Sequence, residues 1–175
     1  MDVLHAPWRI DYILAPKGPA EPGQGSLFAR IAESGDDEAN LVLARGRWCF
    51  ALLNAYPYSG GHSMVVPYRQ VPDFEGLDDA TLAELLSMTR RVQAGIRVVM
   101  RPDGFNIGAN LGRVAGAGIV EHLHLHIVPR WHGDTNFMPV LAGTSVIPEA
   151  LRETAAKIRR ELSAGASAAQ SPTGG

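Results

Sequence analysis

The alternating segment from Glu121 to Trp131, EHLHLHIVPRW, constrains the fold more than any other part of the chain. Aliphatic residues separate three histidines that fall at every second position: His122, His124 and His126. Successive side chains of a β-strand point to opposite faces, so the segment predicts a strand with imidazoles on one face and aliphatic side chains on the other. A helix would distribute the histidines around its circumference. Pro129 ends the ladder because proline cannot donate to it.

Spacing alone leaves three explanations for the histidine row. Chance is the weakest, because the whole chain holds six histidines and three of them stand in this one alternation. A metal site is the second, although the outer pair of such a row lies about 13 Å apart along a strand, too far to share one zinc ion easily. The third is covalent catalysis, because a neutral imidazole held through its other nitrogen is a good nucleophile.

Composition narrows the class of protein. A chain of 175 residues with 46% hydrophobic content predicts a single folded domain, which we place at residues 26–162. A formal charge of −2 gives no electrostatic case for nucleic acid or an anionic membrane. The single cysteine, Cys49, excludes an intramolecular disulfide and lies in an apolar run, which favours a buried, inert thiol. With no leader and no membrane-spanning apolar run, we expect a cytoplasmic protein.

Hydrophobic spacing and turn residues predict the remaining elements. Residues 1–25 read as an extended arm and linker, and residues 163–175 as a disordered tail. Between them we predict a short helix over 26–34, a hairpin of strands 41–45 and 48–53, a strand over 62–67, a long helix over 78–100, a strand over 105–111 and a second helix over 148–162.

A glycine-rich loop leads directly into the histidine row. Gly112, Gly116 and Gly118 lie within seven residues. Glycines let the backbone approach an anion closely, and successive N–H groups can form an anion-binding concavity. A plain loop is the simpler interpretation, but the position next to three histidines favours phosphate binding. The loop lacks the Lys-Ser/Thr ending of a Walker motif.

The histidine row resembles the signature of the histidine triad nucleotide hydrolases and transferases, His-x-His-x-His followed by apolar residues. Upstream, the strand FALLN ends at Asn54, eight residues before His62. This is similar to the family's strand ending in Asn or Asp and to its fourth histidine. The run from Pro57 to Pro67 matches as well, so the resemblance spans about Leu41 to Trp131 in one register.

The resemblance extends to a particular branch of that family. The Trp8-Arg9 arm and the ending over 129–134 are similar to the fragile-histidine-triad and bacterial diadenosine tetraphosphate hydrolase or phosphorylase branch. Membership implies an α+β fold with an antiparallel sheet of about five strands, one long helix and a C-terminal helix. It also implies a homodimer in which the sheet extends across the interface.

The same resemblance implies roles for the four histidines. The middle one, His124, would attack the α-phosphorus and become nucleotidylated. His122 and His126 would hold phosphate oxygens and orient His124. His62 would extend that network from the neighbouring strand.

Nucleotide-binding residues are implied in the same way. Asn54 matches the position that contacts the ribose, and Asn110 is a neighbour of the phosphate. The backbone of Gly118, Ile119 and Val120 matches the segment that binds the phosphates.

Two departures from the family pattern bear on chemistry. Many members carry Gly-Gln-Ser or Gly-Gln-Thr where this chain has Ala117-Gly118-Ile119, so the side-chain donor to the leaving group is missing and backbone donors remain. Ser26 and Ala29 replace a Cys-x-x-Cys pair, so we predict no structural zinc. The resemblance implies no tightly bound cofactor, only a divalent cation such as Mg²⁺ accompanying the polyphosphate.

These features predict a nucleotide phosphohydrolase or nucleotidyltransferase. It would cleave dinucleoside polyphosphates such as diadenosine tetraphosphate through a nucleotidyl-histidine intermediate, with water or phosphate as acceptor. Positioning and electrostatic stabilisation dominate such chemistry, and much imidazole is already neutral at pH 7. Hydrolysis of nucleoside phosphoramidates or aminoacyl-adenylates stays open, as does a non-catalytic nucleotide-binding sensor on the same scaffold. A metal-binding module is weakened by the missing cysteines. The expected partners are the nucleotide and a second copy of the chain.

Overall fold

The computed structural model describes residues 25–134 and 149–169, which form an α+β structure around a five-stranded sheet. The helices are α1 (Leu27–Ser34), α2 (Asp79–Met100) and α3 (Leu151–Ala169). The strands are β1 (Val42–Arg45), β2 (Cys49–Leu53), β3 (Ser63–Pro67), β4 (Gly104–Gly108) and β5 (Leu125–Arg130). They lie in the order β1-β2-β3-β5-β4, and each neighbouring pair is antiparallel. The predicted α+β class is confirmed.

Different helices cover the two faces of the sheet. α2 and α3 pack on one face, against alternate residues of the central strands that include Cys49, Ala51, Leu53, Leu125 and Ile127. α1 covers the other face, in a smaller cluster of Phe28, Val42, Phe50, Leu52, Met64 and Val66. Because a strand alternates its side chains, β2 contributes to both clusters and is buried along its whole length.

The long helix α2 begins and ends where local chemistry predicts. The Asp78 side chain accepts a hydrogen bond from the Thr81 backbone N–H at 2.8 Å, which satisfies one of the unpaired donors of the first turn. The helix ends at Met100, its C-cap Arg101 has a φ of 49° in the left-handed region, and Pro102 follows. α2 then packs its buried stripe on the sheet, where burial raises the pKa of the Cys49 thiol to about 12. The thiol is therefore protonated and inert, as predicted.

Several predicted boundaries were wrong, among them the ends of β4 and α3. β4 ends at Gly108, which pairs with His126, so the predicted strand over 105–111 is shorter than expected. α3 extends through Ala169, so residues 163–169 are helical although their composition predicted a disordered tail. Alanine is the strongest helix former, and the frequent alanines of this segment outweigh its glycine and serines. The arm predicted over 1–25 lies outside the described residues, apart from Gly25.

The two edge strands of the sheet are in different environments. At the β1 edge, Arg159 of α3 donates from Nε to the carbonyl oxygen of Val42 at 2.5 Å and from Nη2 to that of Asp37 at 2.8 Å. β4, in contrast, pairs with β5 alone among the described strands, and Ile107 is 44% exposed there. Within residues 25–134 and 149–169, each helix is too short or too polar to cross a bilayer.

Candidate active site

A cavity of about 370 Å³ opens on the sheet face that α1 covers. Its wall is formed by α1, the residues before β1, the end of β2 and the segment before β5. Most of the lining side chains are apolar, and those that carry polar groups are Asn40, Asn54, Tyr56, His124 and His126. An apolar pocket with a few convergent polar groups is the usual form of a small-molecule site.

The alternation of the histidine segment separates its side chains as predicted. Leu123, Leu125 and Ile127 are buried in the core beneath α2 and α3, whereas His124 and His126 line the cavity on the opposite face. The strand itself begins only at Leu125, so the predicted start of the strand was wrong: His122 lies in a bend, and His122 and His124 both precede the ladder.

Hydrogen bonding assigns the tautomer of His124. Its Nδ1 lies 2.8 Å from the backbone carbonyl oxygen of His122. A carbonyl oxygen can only accept, so Nδ1 carries the proton and donates, and in the neutral ring the lone pair is on Nε2. The ring is 6% exposed and stands 4.9 Å from the ring of His126, centroid to centroid. An imidazole held in this way is suited to nucleophilic attack through Nε2.

A hydrogen-bonded relay fixes the proton of His126. The Tyr58 backbone N–H donates to His62 Nδ1 at 3.0 Å, so His62 carries its proton on Nε2. That Nε2–H donates to His126 Nδ1 at 2.9 Å, which in turn places the proton of His126 on its own Nε2. The ring of Tyr58 stacks on that of His62 at 4.9 Å. His126 therefore presents an N–H donor at the cavity wall, the group that a phosphoryl oxygen needs.

His122 occupies a different place from its two neighbours. Its ring is fully buried and does not line the cavity that the described residues form. Nε2 lies 2.8 Å from the Pro67 carbonyl oxygen, and Nδ1 lies 2.5 Å from the Ser26 hydroxyl. Burial lowers the pKa of His122 below its ordinary value of 6.5, against the opposing effect of the bond to Pro67. Both ring nitrogens of His122 therefore contact other protein atoms. His122 contacts the ring of His124 through its backbone carbonyl oxygen, which accepts from Nδ1.

The predicted nucleotide-binding residues are divided by the structure. Asn54, Gly118 and Ile119 line the cavity, whereas Asn110 and Val120 do not. Asn54 is held by the Tyr56 backbone N–H, which donates to its Oδ1 at 2.9 Å. The amide of Asn110 instead donates to the Gly116 carbonyl oxygen at 3.4 Å, within the glycine-rich loop. The phosphate contact predicted for Asn110 stays a prediction.

Sequence reasoning did not identify the contribution of α1. Leu27, Phe28 and Ile31 form one wall of the cavity, and the Phe28 ring lies 5.5 Å from His122 and 5.1 Å from His124 between centroids. The apolar spacing of these residues indicated a buried helix face, which is equally typical of ordinary packing. No local pattern shows that this face meets a segment nearly a hundred positions further along.

The fold is an antiparallel sheet covered by helices, and a cavity lined by histidines opens on one face of that sheet. These two features define a class of proteins that bind a small molecule and act on it through imidazole side chains. A model of the HIT domain family matches residues 37–133, more than half of the chain. The chain belongs to the histidine triad (HIT) family.

Two curated relatives have names that describe dinucleotide chemistry. AP-4-A phosphorylase of Mycobacterium tuberculosis strain H37Rv is 46% identical over 157 residues, which cover 86% of this chain and 79% of that protein. The asymmetrical bis(5'-nucleosyl)-tetraphosphatase of Schizosaccharomyces pombe is 37% identical over 93 residues, covering 53% of this chain and 50% of that protein.

Solved structures show the same fold. A Zn-bound histidine triad family protein from Mycobacterium smegmatis superposes with a TM-score of 0.66 at 25% identity, over 82% of this chain and 97% of that one. A histidine triad nucleotide-binding protein from Sulfolobus tokodaii gives a TM-score of 0.65 at 28% identity, over 79% of this chain and 93% of that one.

Proposed function

We propose that this protein cleaves dinucleoside polyphosphates by transferring a nucleoside monophosphate to His124 and then to inorganic phosphate. The observation that carries the proposal is the orientation of His124, a ring on the cavity wall whose Nδ1–H is held by the His122 carbonyl. The M. tuberculosis relative named AP-4-A phosphorylase, similar over most of both chains, supports phosphate as the acceptor and diadenosine tetraphosphate as the substrate.

The reaction has two balanced steps. Nε2 of His124 attacks the α-phosphorus, a phosphorus–nitrogen bond forms, and the phosphoanhydride bond to the leaving nucleotide breaks. Phosphate then attacks the same phosphorus, the phosphorus–nitrogen bond breaks, and His124 returns to its neutral form. Charge grows on the non-bridging oxygens in each transition state, where the Nε2–H of His126 would donate. Gly118 and Ile119 line the same cavity, and their backbone N–H groups would donate to the phosphates.

Incubation with diadenosine tetraphosphate, with and without phosphate, tests the function. We expect ADP to form, and ATP to accumulate beyond one equivalent of the enzyme, only when phosphate is present, because phosphate must remove the transferred AMP before a second turnover. Chromatography of the nucleotides resolves the products. AMP with ATP would show that water is the acceptor, and tight binding without any product would favour a nucleotide sensor instead.

We also propose a homodimer joined at the β4 edge of the sheet. The β1 edge is covered by Arg159, whereas β4 presents an exposed Ile107 on an edge strand, the kind of surface that pairs with another strand. Light scattering after size exclusion should give twice the chain mass of 18.8 kDa, and Ile107→Lys should lower it to one chain mass. Trp48→Lys, at the hairpin of the opposite edge, is the matched control and should remain dimeric. An unchanged mass for Ile107→Lys would place the interface elsewhere.

A further proposal is that the chain holds no structural zinc and no other tightly bound cofactor. Ser26 and Ala29 stand where the family resemblance implies a Cys-x-x-Cys pair, and the Ser26 hydroxyl bonds His122 directly. A divalent cation such as Mg²⁺ would arrive with the polyphosphate, which needs its charge neutralised. Elemental analysis of the purified protein should find zinc well below one equivalent, and stoichiometric zinc would overturn the proposal.

We place the protein in the cytoplasm, which cell fractionation can check.

A further inference from the structure

The atom that orients the nucleophile lies outside the sheet. His124 donates to the backbone carbonyl of His122, and β5 begins only at Leu125. Strand pairing therefore does not fix the position of that carbonyl. The backbone here has one nearby anchor of its own, the Leu123 N–H, which donates to the carbonyl of Val71 at 2.6 Å. The two ring nitrogens of His122 also hold this segment in place through their hydrogen bonds.

The Ser26 hydroxyl forms one of those hydrogen bonds. Since Nε2 of His122 donates to the Pro67 carbonyl, Nδ1 bears the lone pair and the hydroxyl donates to it, at 2.5 Å. The same hydroxyl oxygen accepts from the Ala29 N–H at 3.2 Å, as the N-cap of α1. Ser26 is 2% exposed and His122 is fully buried, so water cannot readily replace this bond.

We infer that Ser26 is a positioning residue for the nucleophile: its hydroxyl anchors the His122 ring, and the His122 carbonyl in turn orients His124. The order of bonds is Ser26 hydroxyl to His122 Nδ1, then His122 carbonyl to His124 Nδ1–H. The kinetic part of this inference rests on the proposed function, whereas the hydrogen-bonded chain does not.

Loss of the hydroxyl leaves a buried lone pair on His122 Nδ1 without its donor. A buried acceptor without a partner is costly, so the ring will reorient or the segment will shift. Either response moves the carbonyl that holds His124. A reacting group misplaced by about 1 Å can lose about 100-fold in rate, whereas binding of the nucleoside part by the apolar wall is less sensitive.

Four variants of the full chain separate positioning from folding. Ser26→Ala removes both the anchor and the N-cap, whereas Ser26→Gly removes the anchor and retains most of the capping free energy. Ser26→Thr keeps the hydroxyl and should restore both functions. Ser87→Ala is the matched control, because it removes a serine hydroxyl from an exposed position of α2 that does not line the cavity. Thermal melting identifies any variant that loses the fold.

The readouts are kcat and KM on diadenosine tetraphosphate with phosphate, and the imidazole ¹⁵N NMR signals of His122 and His124. We expect kcat to fall roughly 10- to 100-fold in Ser26→Ala and Ser26→Gly, with KM changed by no more than about twofold. Ser26→Thr and Ser87→Ala should behave as wild type. The NMR signals of His124 should lose their single-tautomer pattern only in the Ala and Gly variants.

Two results would overturn the inference. One is wild-type kcat in both Ser26→Ala and Ser26→Gly; the other is a His124 tautomer pattern that none of the variants alters. If the wild-type protein turns over no dinucleotide, the proposed function fails, and the NMR comparison alone decides whether Ser26 holds the nucleophile.

Discussion

Replacing His124 with asparagine should abolish turnover while nucleotide binding survives. Asparagine is close in size to imidazole but cannot form the covalent intermediate, so the two-step route is lost. Removal of a covalent nucleophile lowers kcat by on the order of 10⁴-fold or more. The apolar wall around Leu27, Phe28 and Ile31 stays intact, so titration calorimetry with the substrate should give an affinity close to that of wild type.

A second histidine provides the control for that experiment. The His132 side chain is fully exposed beyond the end of β5, so His132→Asn removes an imidazole without touching the cavity and should leave kcat unchanged. Rapid acid quenching followed by mass spectrometry should detect one nucleoside monophosphate on wild type and none on His124→Asn. Persistent turnover in His124→Asn would exclude His124 as the nucleophile.

The division of the sheet into two faces could be predicted because it depends on local alternation. In β2 and in the histidine segment, residues two positions apart share one face, because the side chains of a strand alternate with a period of two. Asn54 directly follows β2 and His62 directly precedes β3, and the Asn54 N–H donates to the His62 carbonyl oxygen at 2.8 Å. The faces could thus be assigned before any contact was known.

The supports of the active site could not be predicted, because they join distant parts of the chain. Ser26 and His122 are separated by 96 positions, and His62 and His126 by 64. In each pair, the sequence around one residue does not indicate which distant residue it contacts. Ser26 caps α1 within its own segment, but its bond to His122 requires α1 to be packed on the sheet.

The first residue of β5 also depends on a distant part of the chain, because it is set by pairing with β3. Alternation continues upstream through His122, but the ladder with β3 starts at Leu125, which pairs with Val65. Before that point the Leu123 N–H donates to the Val71 carbonyl oxygen instead of to a strand partner. A pattern of period two reports an extended backbone and does not report whether a neighbouring strand is present.

The second large effect is expected for the His62–His126 pair. His126→Ala removes the N–H donor to the phosphoryl group, and loss of one such donor costs about 10²- to 10³-fold in kcat. His62→Phe keeps an aromatic ring against Tyr58 but removes the proton donor to His126 Nδ1. His126 can then exchange tautomers, and part of the population no longer presents Nε2–H to the substrate. We therefore expect a smaller fall in kcat, by roughly 10-fold.

A double-mutant cycle then tests whether His62 acts through His126. If it does, adding His62→Phe to His126→Ala should change kcat little further, because the group that His62 orients has gone. Multiplicative effects would mean that His62 reaches the substrate by another route. His62→Phe also leaves the Tyr58 N–H without its acceptor, a loss of about 1–3 kcal/mol that thermal melting will detect. Because that cost recurs in the double variant, it cancels in the cycle and the kinetic coupling remains interpretable.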